Sequence, residues 1–330
     1  IKLFGFDVFA EYARKHSYGT THGFSRDIPY DKTGEGWYGS VSFTGLEGFG
    51  LTFEYKNYRF DVVDPDARKD ANRPTRIVPV QNPPIVHKEH AFTLLTRSPH
   101  TIDFNDETGW QVDVFSAVAP NLVLNLNGAV ASRQQSWVRL PGGRYRPLFK
   151  SNDLFPALDE EFSPFWEIYL DAEWYFEEES FVRLAVNRRS DTQYEEGVGK
   201  GHRVASTTLP VRIEYMLDEA FSLGVSLEQQ WASDNSYPVD DRTFFNEFVS
   251  VTLAHAPDWA ATIRAEFTSD EFDPSGKKSW ITGEFTYRLG NVHTATVSYG
   301  SERGGLICSS GVCRVVQPFT GVRVQLYTQL

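Results

Sequence analysis

Hydrophobic and polar residues alternate strictly along residues 165–176. Trp166, Ile168, Leu170, Ala172, Trp174 and Phe176 fall on one face, and Glu167, Tyr169, Asp171, Glu173 and Tyr175 on the other. A period of two belongs to a β-strand and not to a helix. The apolar face carries Trp near both ends with aliphatic residues between, and the other face carries three carboxylates. A soluble sheet has no need of aromatics at both rims of a strand. A bilayer does, because indole rings prefer the two lipid–water interfaces. The stretch therefore predicts a membrane-spanning strand with its polar side turned inward.

The same layout recurs along most of the chain. It predicts a strand over about 2–13 and another over 317–330. Between them it predicts hairpins at 36–45 and 48–60, 108–118 and 121–133, 164–176 and 179–190, 207–217 and 220–232, 243–255 and 258–270, and 278–289 and 292–303. Tight turns at 46–48, 119–120, 177–179, 218–219, 256–258 and 290–291 alternate with longer polar connections, among them 14–35 and 134–162. The uncharged run 114–132 is read as a hairpin and not a helix. Pro120 interrupts it, and Asn121, Asn125 and Asn127 would be costly against lipid. The predicted fold is all-β: a transmembrane antiparallel up-and-down β-barrel of about fourteen strands, spanning 1–330 as one domain. Short turns would be periplasmic and long loops extracellular. The even count lets the first and last strands pair and leaves no open edge.

Residues 61–107 break the rhythm. They hold Pro65, Pro74, Pro79, Pro83, Pro84 and Pro99, and are too long for a plain loop. One strand-like stretch, His90–Arg97, lies within. Counting it as a wall strand would spoil the even number, so the segment is expected either to fold into the lumen or to form an extracellular excursion.

Composition agrees with a barrel. Mean hydropathy is -0.38, too low for a helical membrane protein but ordinary where half of each strand faces a polar lumen. The net charge of -12 disfavours nucleic acid as a partner, since phosphate binding needs large basic clusters, and none is expected. The chain opens directly on a strand pattern, as a mature or trimmed protein would. Cys308 and Cys313 are the two cysteines. Their short spacing in an envelope protein reads as a disulfide; a metal pair is the alternative, with no second pair to complete it.

If the apolar faces meet lipid, alternate positions line the lumen. The charged ones are Asp7, Glu11, Glu54, Lys56, Asp113, Glu167, Asp171, Glu173, Arg183, Arg212, Glu214, Glu228, Arg264, Glu266, Glu284, Arg288 and Arg323, with Arg189 beside them. Such charges either select ions in an open pore, with a slight preference for cations, or pair across strands and carry no selectivity. Trp37, Trp110, Trp166, Trp174, Trp231 and Trp259, and Trp280 with them, lie near strand ends and read as lipid-interface anchors. Trp137 and Tyr145 sit in the 134–162 loop among Arg133, Arg139, Arg144 and Arg146, a locally basic stretch suited to anionic glycolipid or a partner protein.

Catalytic signals are weak. His87 and His90 lack the spacing of a zinc hydrolase. Asp240 and Asp241 are too few ligands for a firm calcium site. His202, His255 and His293 fall near strand ends with no nucleophile evident beside them. No cofactor or metal is expected, and no enzymatic activity.

Three stretches carry a family resemblance. They are Asn82–His90 with Thr93–Arg97, then Tyr38–Ser40 leading to Gly48–Leu51 and Glu54–Lys56, and Gly304–Cys308 through Cys313–Arg314. On these the chain resembles an uncharacterised Bacteroidetes-type family, domain of unknown function 6029. The resemblance implies a barrel in the outer membrane of a Gram-negative cell and no activity. From the residues, the expected function is a porin-like outer-membrane channel for small hydrophilic solutes. The alternative is a non-conducting, plugged barrel that anchors or docks a partner at the surface. Outer-membrane lipid, with lipopolysaccharide, is the expected contact.

Overall fold

The computed structural model describes residues 2–22, 27–60, 84–97, 99–143, 145–239, 242–290, 292–309 and 312–328. A two-residue strand β1 (Lys2–Leu3) precedes β2 (Phe6–His22), β3 (Asp27–Leu46), β4 (Phe49–Arg59), β5 (Asp106–Ala119) and β6 (Leu122–Ser132). A small hairpin, β7 (Gln135–Arg139) and β8 (Tyr145–Phe149), stands apart. The meander resumes with β9 (Phe165–Tyr175), β10 (Phe181–Glu195), β11 (Lys200–Met216), β12 (Phe221–Asp234), β13 (Thr243–His255), β14 (Trp259–Thr268), β15 (Ser279–Leu289) and β16 (His293–Glu302). A second detached hairpin, β17 (Gly305–Ser309) and β18 (Val312–Val316), precedes the last strand β19 (Phe319–Thr328). The main sheet has 15 strands, fourteen of them long, and every pairing is antiparallel between neighbours in the chain once the detached hairpins are set aside. Among the described residues no ladder joins β19 to β1 or β2.

The two faces of the sheet reverse the habit of a soluble protein. On β9 the carboxylates Glu167 and Asp171 are 2% and 4% exposed, while Ile168 and Trp174 are 56% and 51% exposed. An outward face built this way is stable only against an apolar solvent. Register gathers the aromatics into rungs. Tyr12 lies opposite Trp37, Tyr55 opposite Trp110, and Trp231 opposite Phe245 near the long-loop ends; Trp259 lies opposite Tyr287 near the tight turns. Trp280 departs from the expected anchoring role. It is 4% exposed on the inward side, with the Arg303 guanidinium 4.9 Å over its ring.

Three stretches differ from expectation. Much of the polar run 14–35 is ladder and not loop, since β2 and β3 stay paired out to His22 and Asp27. At 17 and 20 residues these strands are longer than the roughly 9–11 that a membrane crossing needs. The 134–162 connection contains the β7–β8 hairpin and a 3-10 turn at Glu160–Phe162, and it buries Trp137 instead of presenting it. Residues 90–97 form no strand; Thr93–Thr96 is a single helical turn. The expected disulfide gains no support: Cys308 and Cys313 are direct partners across β17–β18, but their side chains lie outside the described residues.

Residues 84–105 fix the curvature of the sheet. Arg97 pairs with Glu266 on β14, and His100 lies 3.4 Å from Glu107 on β5. In a flat sheet these strands, seven steps apart in the order of pairing, would be separated by about 34 Å. Three residues of chain cover at most about 11 Å. The sheet is rolled, polar face inward, around this segment.

Candidate functional site

The site is the joint between residues 84–105 and the inner wall. It begins beside the end of β4. Tyr58 donates its hydroxyl to the Pro84 carbonyl at 2.9 Å, and Lys56 Nζ donates to the Ile85 carbonyl at 2.6 Å. Lys56 is fully buried and forms an ion pair with Glu107 at 2.5 Å. Farther on, His90 Nε2 meets the Glu167 carboxylate at 3.0 Å, and Asn187 donates to the same carboxylate at 2.7 Å. Lys88 reaches toward Asp113 at 3.8 Å.

The helical turn is set from outside. Glu228, on β12, accepts the backbone N–H groups of Thr93 and Leu94 at 2.8 and 2.7 Å. These are orphan donors of a helix start, which a carboxylate satisfies well. No local residue supplies a side-chain cap, so the wall supplies it. Phe92 and Leu95 pack on Tyr169 and Ala185. Gln230 and Arg189 donate to the Leu94 and Leu95 carbonyls, each at 3.3 Å. Beyond the turn, Arg97 pairs with Glu266, which also accepts from Arg303 at 2.9 Å; Arg303 in turn reaches Asp273 at 2.6 Å. Bonds to charged groups contribute roughly 1.5–3 kcal/mol each, so seating by several such contacts is firm.

His100 closes the joint. It stacks on Phe165 at 4.1 Å and holds Asp191 on Nδ1 at 3.0 Å, with Glu107 on its other side. His87 stands edge-on to the same imidazole at 5.9 Å. Burial pushes the His100 pKa down, but Glu107 and Asp191 override it and hold it at about 9. Burial, then repulsion from His100 and Lys56, holds His87 at about 4. Both groups titrate at 6.5 when free. His100 therefore contributes stability that is full below pH 6.5 and lost as pH rises through about 9. His87 contributes stability that is full above 6.5 and lost as pH falls through about 4. Seating of the segment is expected to be firmest near pH 6.5. Amide hydrogen exchange of residues 84–105, corrected for intrinsic rates, checks this; protection that is flat from pH 5 to pH 9.5 contradicts it.

Most of the predicted inward charges have a polar or charged partner, and three pairs form within the set itself. Arg183 binds Glu173, Arg212 meets Glu214 at 2.8 Å, and Arg264 bridges Glu284 at 3.2 Å and Glu302 at 2.5 Å. Arg323 reaches Glu302 at 3.2 Å, Tyr38 donates to Glu54 at 2.5 Å, and Asn125 donates to Asp171 at 2.9 Å. Asp7 and Glu11 lie opposite Ser42 and Tyr38, and Arg288 opposite Thr294. Sequence reasoning missed Glu107, Asp191 and Glu302 on the wall, and Arg97 and His100 on the segment. The first three share the inward parity of their strands and were legible in principle. The last two sit in a proline-rich stretch without a period.

A cavity of about 480 Å³ opens beside Leu94, Arg97 and Pro99, against β10 to β13. Its charges are largely satisfied within the protein: Asp191 by His100, Asp234 by His202 at 2.8 Å, and Asp270 by Tyr237 at 2.8 Å. Ser236 also donates to Asp234, at 2.6 Å, so in the His202–Asp234–Ser236 cluster the hydroxyl serves the carboxylate and not the imidazole. His255 lies 3.5 Å from Asp258, and His293 bonds Thr328 at 2.9 Å. Among the described residues no three His, Cys, Asp or Glu side chains are grouped to hold a metal ion. His87 and His90 turn to different neighbours, and Asp240 and Asp241 lie outside the described residues.

Solved structures with a similar course include outer-membrane expressed OmpT of Vibrio cholerae, with 11% identity over 100% of this chain and 99% of that one, at a TM-score of 0.42. The ferric enterobactin receptor of Pseudomonas aeruginosa matches at 9% identity and a TM-score of 0.47, over 92% of this chain but 45% of the receptor. The toluene transporter TodX of Pseudomonas putida matches at 8% identity and 0.32, over 92% and 83%. At this level the likenesses transfer no function. Comparison with curated proteins returned no match. The family assignment rests instead on the whole length of the chain, wall strands and inner segment together: over residues 1–330 it matches the model of the family of unknown function DUF6029, and it belongs to that family.

Proposed function

We propose that the protein is an outer-membrane β-barrel held closed by its own residues 84–105, working at the cell surface as a non-conducting, non-enzymatic anchor or docking subunit. One observation carries this reading: a single short segment is bonded to the inner face from β4 round to β14, through Lys56, Glu167, Glu228 and Glu266. An open channel would leave these groups to water. The exposed apolar wall, with aromatics toward both ends, supports a place in the bilayer.

A second reading, a gated passage for small hydrophilic solutes, is favoured by the cavity of about 480 Å³ against the segment. In that case the solute would wait beside Leu94 and Arg97 until the segment moved, and the inner carboxylates would favour cations once it had. The two readings share the closed resting state. Single-channel recording of the purified protein in a planar bilayer tests it. Silence is expected from the intact chain, and steady conductance from it would restore the open-channel reading.

A further inference from the structure

The chain after β8 turns back along the outside of the wall. Tyr55 donates its hydroxyl to the Leu154 carbonyl at 2.9 Å, Asn57 donates to the Asp153 carbonyl at 2.9 Å, and Arg59 pairs with the Asp153 carboxylate at 3.1 Å. These three alternate along β4 in the outward register of Leu51 and Phe53. Lys150 Nζ fastens the loop to itself through the Phe155 carbonyl at 2.8 Å, and the Ala157 N–H donates to Ser132 Oγ at 2.9 Å.

The loop is thus tied to the wall at four points and to itself at a fifth, yet Phe149, Leu154, Phe155 and Leu158 are all more than half exposed. A loop with free choice would turn such side chains inward, since apolar surface is driven out of water. Here the ties hold them out. The patch adjoins the outward wall through Leu154, which shares a cleft with Ala10, Trp37, Gly39 and Tyr55, and with Glu35, Asn57 and Arg59 at its polar side. Trp37 and Tyr55 belong to the aromatic rungs at the long-loop end, where interfacial residues mark the edge of the hydrocarbon.

We propose that residues 149–158 form a hook seated in the lipid leaflet at the long-loop end, with Leu154, Phe155 and Leu158 among the acyl chains. The proposal rests on the barrel reading above. Lipid is the occupant because the patch adjoins the face that already meets it. The hook fixes the depth and tilt of the wall next to β3–β5.

Site-directed spin labelling tests this on the full chain. Phe155→Cys and Leu158→Cys are made separately with Cys308→Ser and Cys313→Ser, labelled, and folded into phosphatidylcholine–phosphatidylglycerol vesicles. Collision rates with oxygen and with a neutral nickel chelate are compared. The expected result is an oxygen excess at 155 and 158 matching that of a label at Ile263→Cys on the outward wall, with a chelate excess at Ser151→Cys. A chelate excess at 155 and 158, with Ile263 still oxygen-dominated, overturns the hook and leaves the barrel reading intact. Labels at 155 and 158 that are immobile and shielded from both reagents also overturn it, and assign the patch to a second copy or a partner protein. A chelate excess at Ile263 itself overturns the barrel reading together with the hook.

Discussion

Excision of residues 61–105, with Phe60 and Asp106 rejoined by a short turn, is expected to convert a silent barrel into a conducting one. The wall is already prepared for this cut. Arg59 and Asp106 are partners in the β4–β5 ladder, and the Phe60 N–H donates to the Asn105 carbonyl at 2.6 Å. The excised protein therefore keeps every wall strand and gains one more hairpin. Its interior loses Arg97, His90 and His100, and so exposes Glu107, Glu167, Glu228 and Glu266 to water against Lys56, Arg189 and Arg303. An acidic excess in a water-filled lumen favours cations. The reversal potential under a salt gradient should shift accordingly, and restoring the segment as a separate peptide should reduce the current. Equal conductance with and without the segment would remove the plug from the account. Silence from a folded, excised barrel would place the barrier elsewhere and return the protein to a purely docking role.

Lys56→Met is expected to be the most damaging single substitution at the joint. Lys56 is fully buried, neutralises Glu107 and donates to the Ile85 carbonyl. Removing one partner of a buried ion pair costs up to about 3–5 kcal/mol; here His100, 3.4 Å from Glu107, offsets part of that loss. Most of that loss should fall on the seating of residues 84–105, read as faster proteolysis of the segment and a lower urea midpoint for its release. Glu107→Gln in the same chain should recover much of the loss, because no buried charge is then left alone on that side of His100. A single substitution costing under about 1 kcal/mol would class the pair with exposed ion pairs, and the joint would not be sealed there.

What the sequence determined by itself was the wall. A strand's side chains point alternately to its two faces, so the alternation in 165–176 fixes both the strand and the side that Glu167 and Asp171 face. The tight turns and the inward parity of the charged residues follow from the same local rule. Where that rule lapses, the sequence was silent. Residues 14–22 and 27–35 extend the β2–β3 ladder, and nothing in their pattern distinguishes that from loop.

Only the tertiary structure decided the joint. The stretch 93–96 carries β-prone Thr and no cap of its own, yet it is helical, because Glu228 lies 135 residues away along the chain and under 3 Å away in space. Arg97 finds Glu266 across a separation of 169 residues. Contacts across the interior of a rolled sheet bring together strands that never pair, so they leave no period in the sequence. They are set by the curvature of the wall and by the segment it encloses.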